Sequence, residues 1–269
     1  MAASQDGLLE AARREGELVY YASMNVAEAN AVIGAFEKRY PFIKVKLNRI
    51  GSEKLLTRVL TEARAKKIFA DVIQTVEFSM HIFSRSGILA RYTPQANSIY
   101  PKEFKEEGFW TTVYYNAYVT AYNTRLVATR ALPKSYDDLL DPKWKGKLGL
   151  EDAAYVWFVN VLKMKGEKPG IEYMRRLARQ DVSLRASTSL LTNLVAAGEI
   201  PFAIDLYTDD IERLKKAGAP LDWVAFDPMI VHTIAGGINK NAPHPNAAKL
   251  FMDFLLSEDG QRIYQSQNM

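Results

Sequence analysis

Five short polar segments follow predicted strands in this sequence, and one of them contains an arginine that could bind an acid group. Arg185 comes directly after the predicted strand at 182–184 and precedes the start of a helix pattern. A guanidinium at the end of a strand can hold a carboxylate through two parallel hydrogen bonds. An ion pair with Glu151 or Asp152 on a neighbouring strand accounts equally well for an arginine at this position.

The other four segments have the same arrangement, in which a strand ends and a helix begins. The free backbone N–H groups and the positive end of the helix dipole at such a place favour anions. In parallel sheets these strand ends lie on one edge, so we expect them to face a common crevice. The candidate ligand-binding residues are Ser23, Asn25, Thr75, Glu77, Asp152, Ala154, Tyr155, Arg185, Thr188, Tyr207 and Asp209, together with Asn116 and His232 on two longer predicted strands.

The stretch at 198–214 shows the pattern most fully. A short apolar strand, 202–204, stops at Asp205, and a helix with a basic last turn follows. This arrangement is typical of a ligand site in an open α/β sheet. An ordinary strand-to-helix turn, in which Thr208 or Asp209 only caps the helix, fits the same residues.

The helix pattern at 154–165 adds a candidate apolar contact. Its spacing predicts that Val156, Val159 and Leu162 face inward. Separately from this spacing, Tyr155, Trp157 and Tyr207 are candidates to cover the apolar part of an organic ligand.

Composition excludes several classes of protein. The chain has 269 residues, of which 48% are hydrophobic and 25% charged, and it contains no cysteine, so disulfides, thiolate metal sites and cysteine nucleophiles are excluded. No apolar run approaches the roughly 18 residues that a membrane span needs. The net charge of +4 is spread among nearly equal numbers of basic and acidic residues, which argues against nucleic acid as a partner.

Motifs of enzymes and metal sites are missing from the sequence. It contains no dinucleotide-binding glycine fingerprint, Walker loop, GxSxG or HExxH motif. His81, His232 and His244 lack the spacing of metal ligands and are expected in surface or packing roles, with only His232 near the crevice. We therefore predict that the protein is no enzyme and that it carries no cofactor and no metal.

Strands and helices alternate along the chain, which indicates βαβ units and parallel sheets. Two long β-prone runs, 109–123 and 229–238, are predicted to carry the chain from one lobe to another and back. The predicted fold class is α/β, with two lobes that are each a mostly parallel sheet flanked by helices and joined by two crossing strands. The predicted lobes are 1–117 with 232–269, and 118–231, with the ligand cleft between them.

Several segments together resemble the ferric-iron-type periplasmic solute-binding proteins of ABC transporters, and the likeness covers almost the whole chain. They read EGELVYYAS, ADVIQT, DPKWKGKLG, VAAGEIPFAI and HPNAAKLFMDFLLSEDGQ. The resemblance implies a monomeric, two-lobed receptor that closes about a hinge and delivers its solute to a membrane permease. It also implies a periplasmic location with the signal peptide removed, and more helix beyond residue 261 in most members.

The sequence departs from this family where its iron-binding members hold the metal. Their consecutive tyrosines fall here on Thr208 and Asp209, their histidine on Met24 or Asn25, and their glutamate on Val76. Ferric iron is a hard cation that needs several anionic oxygens. The residues present could supply some of these, but not in the arrangement of the family.

The resulting hypothesis is a receptor for a small polar organic solute, a carboxylate or another anion, held by Arg185 and helix N-termini. The alternative is a receptor for ferric iron or an iron chelate with non-standard ligands. Glu77, Asp152, Asp205 and Asp209 bring negative charge to the same region. A solute with an amine, or a metal–organic complex, therefore stays open. An enzyme of the same fold finds no support, since no nucleophile–base pair or cofactor loop is present.

Overall fold

A computed structural model of the protein describes residues 5–67 and 69–266. Its helices and strands alternate over most of the chain, which confirms the predicted α/β class. The helices are α1 (Gln5–Glu15), α2 (Val26–Arg39), α3 (Ser52–Arg64), α4 (Glu77–Arg85), α5 (Tyr155–Lys165), α6 (Glu167–Ala178), α7 (Thr188–Ala197), α8 (Thr208–Lys216), α9 (Pro245–Leu256) and α10 (Glu258–Ser266).

The strands belong to two compact units, one made of residues 5–115 and 233–266 and the other of residues 116–232. Two long strands, β5 and β10, contribute residues to both units. The strands are β1 (Glu17–Ala22), β2 (Lys44–Arg49), β3 (Val72–Val76), β4 (Lys105–Glu106), β5 (Trp110–Asn123), β6 (Leu148–Glu151), β7 (Ser183–Arg185), β8 (Phe202–Tyr207), β9 (Leu221–Val224) and β10 (Val231–Ile238).

The first unit is built on three parallel strands. Strand β1 lies between β2 and β3 and is parallel to both. Strand β10 pairs antiparallel with β3, and β4 pairs antiparallel with the start of β5. The ends of β1, β2 and β3 at Ala22, Arg49 and Val76 therefore share one edge of this sheet.

The second unit also contains three parallel strands. Strand β6 lies between β7 and β8 and is parallel to both. The second half of β5 pairs antiparallel with β8 and with β9. The carboxyl ends of β6, β7 and β8, at Glu151, Arg185 and Tyr207, consequently meet at one edge.

Helix α5 faces its core differently from the prediction. Its buried residues are Trp157 and Val161, whereas Val156 and Val159 remain 41% and 46% exposed. The prediction for these two valines was wrong because apolar side chains occupy nearly every face of this helix, so spacing does not select one. Leu162 is half-buried, and it packs so closely on Gly170 of α6 that a Cβ there would lie 2.8 Å from Leu162 Cδ2.

A buried carboxylate joins the parallel sheet of the first unit to helix α9. Asp71 is fully buried and accepts hydrogen bonds from the backbone N–H of Val19 at 2.7 Å and of His244 at 2.6 Å. The His244 ring lies with Nδ1 2.9 Å from the same carboxylate. Removal of a buried carboxylate that accepts several hydrogen bonds destabilises the folded state, because each donor is then left without its acceptor.

We therefore expect Asp71→Asn to lower the free energy of unfolding by about 1–3 kcal/mol, because the amide group presents its own N–H to donors that need an acceptor. Chemical denaturation of the whole chain measures the change. The control is Asp259→Asn, which removes an exposed partner of Arg39 and should change stability by less than about 0.5 kcal/mol. Equal effects of the two substitutions would contradict this role of Asp71.

Candidate functional site

In the first unit, the turn after β1 divides its side chains between core and surface. The Ser23 N–H donates to the Gln74 carbonyl at 3.1 Å, which holds the ends of β1 and β3 together. Met24 turns inward and contacts the Tyr20 hydroxyl, with 3.5 Å between the sulfur and the oxygen. Asn25 is exposed, and its backbone and side-chain N–H groups donate to the Glu28 carboxylate at 3.2 and 3.1 Å. Asn25 thus has a capping role at the start of α2.

The end of β2 brings a cation to this edge that the sequence analysis did not single out. Arg49 pairs in register with Ala22, and its Nε donates to the Met24 carbonyl at 3.1 Å. The sequence offered no signal for Arg49, because it is the last residue of a lysine-rich edge strand and charged residues on such strands are usually solvated.

The end of β3 and the start of α4 contribute one buried side chain, Thr75, and one hydrogen-bonded side chain, Glu77. Thr75 is fully buried, and its hydroxyl has no hydrogen-bond partner among the described residues. Glu77 begins α4, accepts a hydrogen bond from the Thr233 hydroxyl and lies 3.6 Å from His81 Nε2. A carboxylate in the first turn is also favoured by the helix dipole.

In the second unit, Arg185 is exposed at the end of β7. Its residue partner in the parallel ladder is Glu151, and the Asp152 N–H donates to the Arg185 carbonyl at 2.9 Å. The guanidinium donates only to the carbonyl of Leu184, at 2.7 Å. Within the described parts of the chain it forms no ion pair, so the alternative role proposed for it, pairing with Glu151 or Asp152, is not what this structure contains.

Helix α7 starts three residues beyond Arg185. Ser187 caps it, with its hydroxyl accepting from the Leu190 N–H at 3.1 Å. The Thr188 side chain is buried, and its carbonyl accepts from the Thr192 hydroxyl at 2.9 Å. Thr188 therefore offers a ligand its backbone N–H at the positive end of the helix rather than an open side chain.

A cavity of about 500 Å³ lies in the second unit and includes the predicted residues Asp152, Ala154 and Tyr155. Most of its wall is apolar and continuous with the core around Trp157. Tyr155 is 66% exposed and forms part of the rim. The lining residues are Leu150, Glu151, Asp152, Ala154, Tyr155, Trp157, Phe158, Met174, Leu177, Ala178, Val182 and Leu184.

Strand β8 does not stop at Asp205, as the sequence pattern indicated, but continues to Tyr207. The pairing with β5 shifts between Val119 and Ala121, so that an extra residue bulges at Asp205. Asp205 has a φ of +64° there, is 3% exposed, and its Oδ1 lacks a hydrogen-bond partner among described residues. Burial, and then the charge of Glu151, raise the pKa of Asp205 well above its ordinary value. A bulge of this kind re-aims a side chain and is common beside binding sites.

Three rings gather beside this bulge. The Tyr118 hydroxyl lies 2.8 Å from His232 Nδ1 and 3.3 Å from the Tyr207 hydroxyl. Burial raises the pKa of both phenols well above their ordinary value, with Asp205 adding to the effect. Burial lowers the pKa of His232 to about 4. At neutral pH this cluster is therefore uncharged, and Tyr118 is a member that the sequence analysis missed.

The last two predicted residues are buried near these strands. Asn116 is 8% exposed, and its Oδ1 has no hydrogen-bond partner within the described chain. Asp209 is 9% exposed in the first turn of α8. Its neighbour Asp210 accepts from Arg213 at 2.6 Å and from the Ser189 hydroxyl at 2.7 Å, which ties α8 to α7.

Comparison with known proteins identifies the class. The sequence model of the family described as bacterial extracellular solute-binding protein matches residues 21–262, and the chain belongs to this family. The family consists of solute-binding proteins of the kind that serve ABC importers, not of enzymes, which confirms both the resemblance and the prediction of a non-enzyme. None of the helices described here is long and apolar enough to cross a bilayer.

Three similar proteins illustrate the range of the family. The major ferric iron-binding protein of Neisseria gonorrhoeae is 25% identical over 261 residues, which cover 91% of this chain and 77% of that protein. A putative 2-aminoethylphosphonate-binding periplasmic protein of Salmonella paratyphi A is 28% identical over 71% of this chain and 59% of its own length. The crystal structure of iron-bound HitA from Pseudomonas aeruginosa matches with a TM-score of 0.84 and 26% identity, over 93% of this chain and 84% of HitA.

The buried acid in the bulge predicts a distinctive pH dependence. Because the pKa of Asp205 is raised in the folded state, folding retains a proton that the unfolded chain releases above about pH 4. Stability contributed by this group is thus present at low pH and is lost as the pH rises toward its folded pKa. We expect Asp205→Asn, which stays neutral, to raise the free energy of unfolding at pH 7.5 and to give little gain near pH 4.

Denaturant titrations at the two pH values measure this difference. Asp152→Asn is the matched control, since Asp152 is an exposed acid of the same unit and a surface substitution changes the free energy of unfolding by less than about 0.5 kcal/mol. A destabilised Asp205→Asn variant at pH 7.5 would show that the carboxylate is ionised and satisfied in the folded protein.

Proposed function

We propose that this protein is the periplasmic receptor of an ABC importer, and that it closes on a small organic solute with an acid group and delivers it to the permease. The observation that carries the proposal is the guanidinium of Arg185, which is exposed and pairs with no carboxylate in the described residues. Beside it, α7 starts with its N–H groups toward the same edge. A guanidinium next to a helix N-terminus is suited to a carboxylate, phosphate or phosphonate.

Ferric iron as the solute is supported less well. Among the described residues, no three histidines or acidic side chains lie close enough together to hold a metal ion. Iron-binding tyrosines act as phenolates, whereas the pKa values of Tyr118 and Tyr207 are raised. Relatives named for ferric iron and for 2-aminoethylphosphonate show that solutes vary within this family, so family membership alone does not select iron.

The test begins with native mass spectrometry of the purified protein, to detect a co-purifying solute, and continues with calorimetry against small carboxylates, phosphate esters and phosphonates. We expect at least one acid to bind, and Arg185→Gln to weaken that binding by about tenfold to a hundredfold, because a charged hydrogen-bond donor is lost. Arg179→Gln is the control, because Arg179 is an exposed arginine at the end of α6 in the same unit.

Ferric citrate provides the opposing arm of the test. We expect no visible tyrosinate-to-iron absorption band when it is added to the protein. A coloured complex, combined with no measurable binding of any acid in the panel, would replace the organic acid with iron.

A further inference from the structure

The charge of the cavity in the second unit is opposite to that of Arg185. Its lining contains two acidic residues, Glu151 and Asp152, and no basic residue, while the other ten lining residues are apolar or aromatic. A cavity of about 500 Å³ is within the usual range for small-ligand pockets. An apolar wall with carboxylates at one end matches a ligand that has an apolar body and a positive charge.

The buried acid Asp205 lies close to this wall. The Asp205 carboxyl neighbours Tyr118, Tyr136 and Tyr207, whose rings belong to or pack against the core that lines the cavity. The charge of Glu151 acts on Asp205 strongly enough to help raise its pKa. The negative potential at this end of the cavity therefore comes from Glu151 and Asp152, while Asp205 keeps its proton, and a bound cation would lower the repulsion between these two carboxylates.

The sheet places this acidic end directly beside the arginine. Glu151 and Arg185 are partners in the parallel ladder of β6 and β7, whose axes lie about 4.8 Å apart. A solute whose acid group contacts Arg185 and whose cation contacts Glu151 must carry the two groups within a few bonds of each other. This is the spacing of an amino group and an acid group on the same or adjacent carbon atoms.

The rim of the cavity is apolar and uncovered. Tyr155, Phe158 and Leu184 are 66%, 40% and 56% exposed. Aromatic faces at a rim stabilise both an apolar body and a nearby ammonium group. Leu184 is followed by Arg185 at the end of β7, which places Arg185 at the strand end next to the rim rather than in the cavity lining.

We propose that this cavity binds a small zwitterion whose protonated amine contacts Glu151 and Asp152, whose acid group contacts Arg185, and whose apolar body fills the cavity. The inference rests on the proposed function, because it assigns two further groups of the same solute. It changes the substrate class from an organic acid to an amino acid or a related amino-acid-like compound with an apolar side chain.

Three probes that share one apolar body test the inference by calorimetry with the full chain. They are phenylalanine, 3-phenylpropionate, which lacks the amine, and 2-phenylethylamine, which lacks the acid. We expect phenylalanine to bind about tenfold or more tightly than either of the others, because each lacks one charged contact. We expect Glu151→Gln to weaken phenylalanine by about tenfold and to leave 3-phenylpropionate unchanged, since the amide keeps the shape of the side chain.

Glu199→Gln serves as the matched control, because Glu199 is an exposed glutamate of the same unit outside the cavity. Equal affinities for phenylalanine and 3-phenylpropionate, both insensitive to Glu151→Gln, would overturn the amine site and leave the acid receptor intact. Equal affinities for phenylalanine and 2-phenylethylamine, both insensitive to Arg185→Gln, would show that the acid group makes no contact with Arg185. This result would overturn the zwitterion and leave a site for an amine. Binding of none of the three probes would overturn the inference, while the acid panel still decides the proposed function.

Discussion

Parallel pairing of β6 with β7 and β8 is the constraint on which the candidate site depends. In a parallel ladder every strand ends at the same edge, so residues far apart in sequence are brought side by side without any contact between their side chains. Glu151 and Arg185 are neighbours for this reason, and the N-termini of α5, α7 and α8 follow at the same edge. At this edge the sheet therefore brings together opposite charges, the N–H groups of helix N-termini and a turn of irregular backbone. Such an arrangement suits the recognition of a charged solute.

The bulge in β8 holds Asp205 in an energetically unfavourable conformation and environment. A left-handed conformation at a non-glycine residue and an acid away from water are both unfavourable, and Asp205 combines them. The surrounding core of the second unit supplies the stability that allows it, because Phe202 and Ile204 on the same strand are almost fully buried. Strained, poorly satisfied groups collect at functional sites, and this acid lies next to the strand ends of the candidate site.

Much of the fold could be predicted from the sequence because the alternation of strand and helix patterns is strong. The long strand predicted at 109–123 is observed as β5, and the return strand as β10. The face of α5 could not be predicted, since Tyr155, Val156, Trp157 and Phe158 put apolar groups on every side, and only packing against α6 decides which are buried.

Of the site, the sequence indicated residues at strand ends but neither the cavity nor Tyr118, because both depend on packing between distant segments. This difference also separates two kinds of recognition. Backbone topology places the charged groups of the candidate site at the sheet edge, and in the proposed function these groups orient the solute. Packing of α5 on α6 shapes the apolar wall, and a change of one side chain there alters the size of the cavity. A family with a constant sheet and variable helix packing can thus change its solute without changing its architecture.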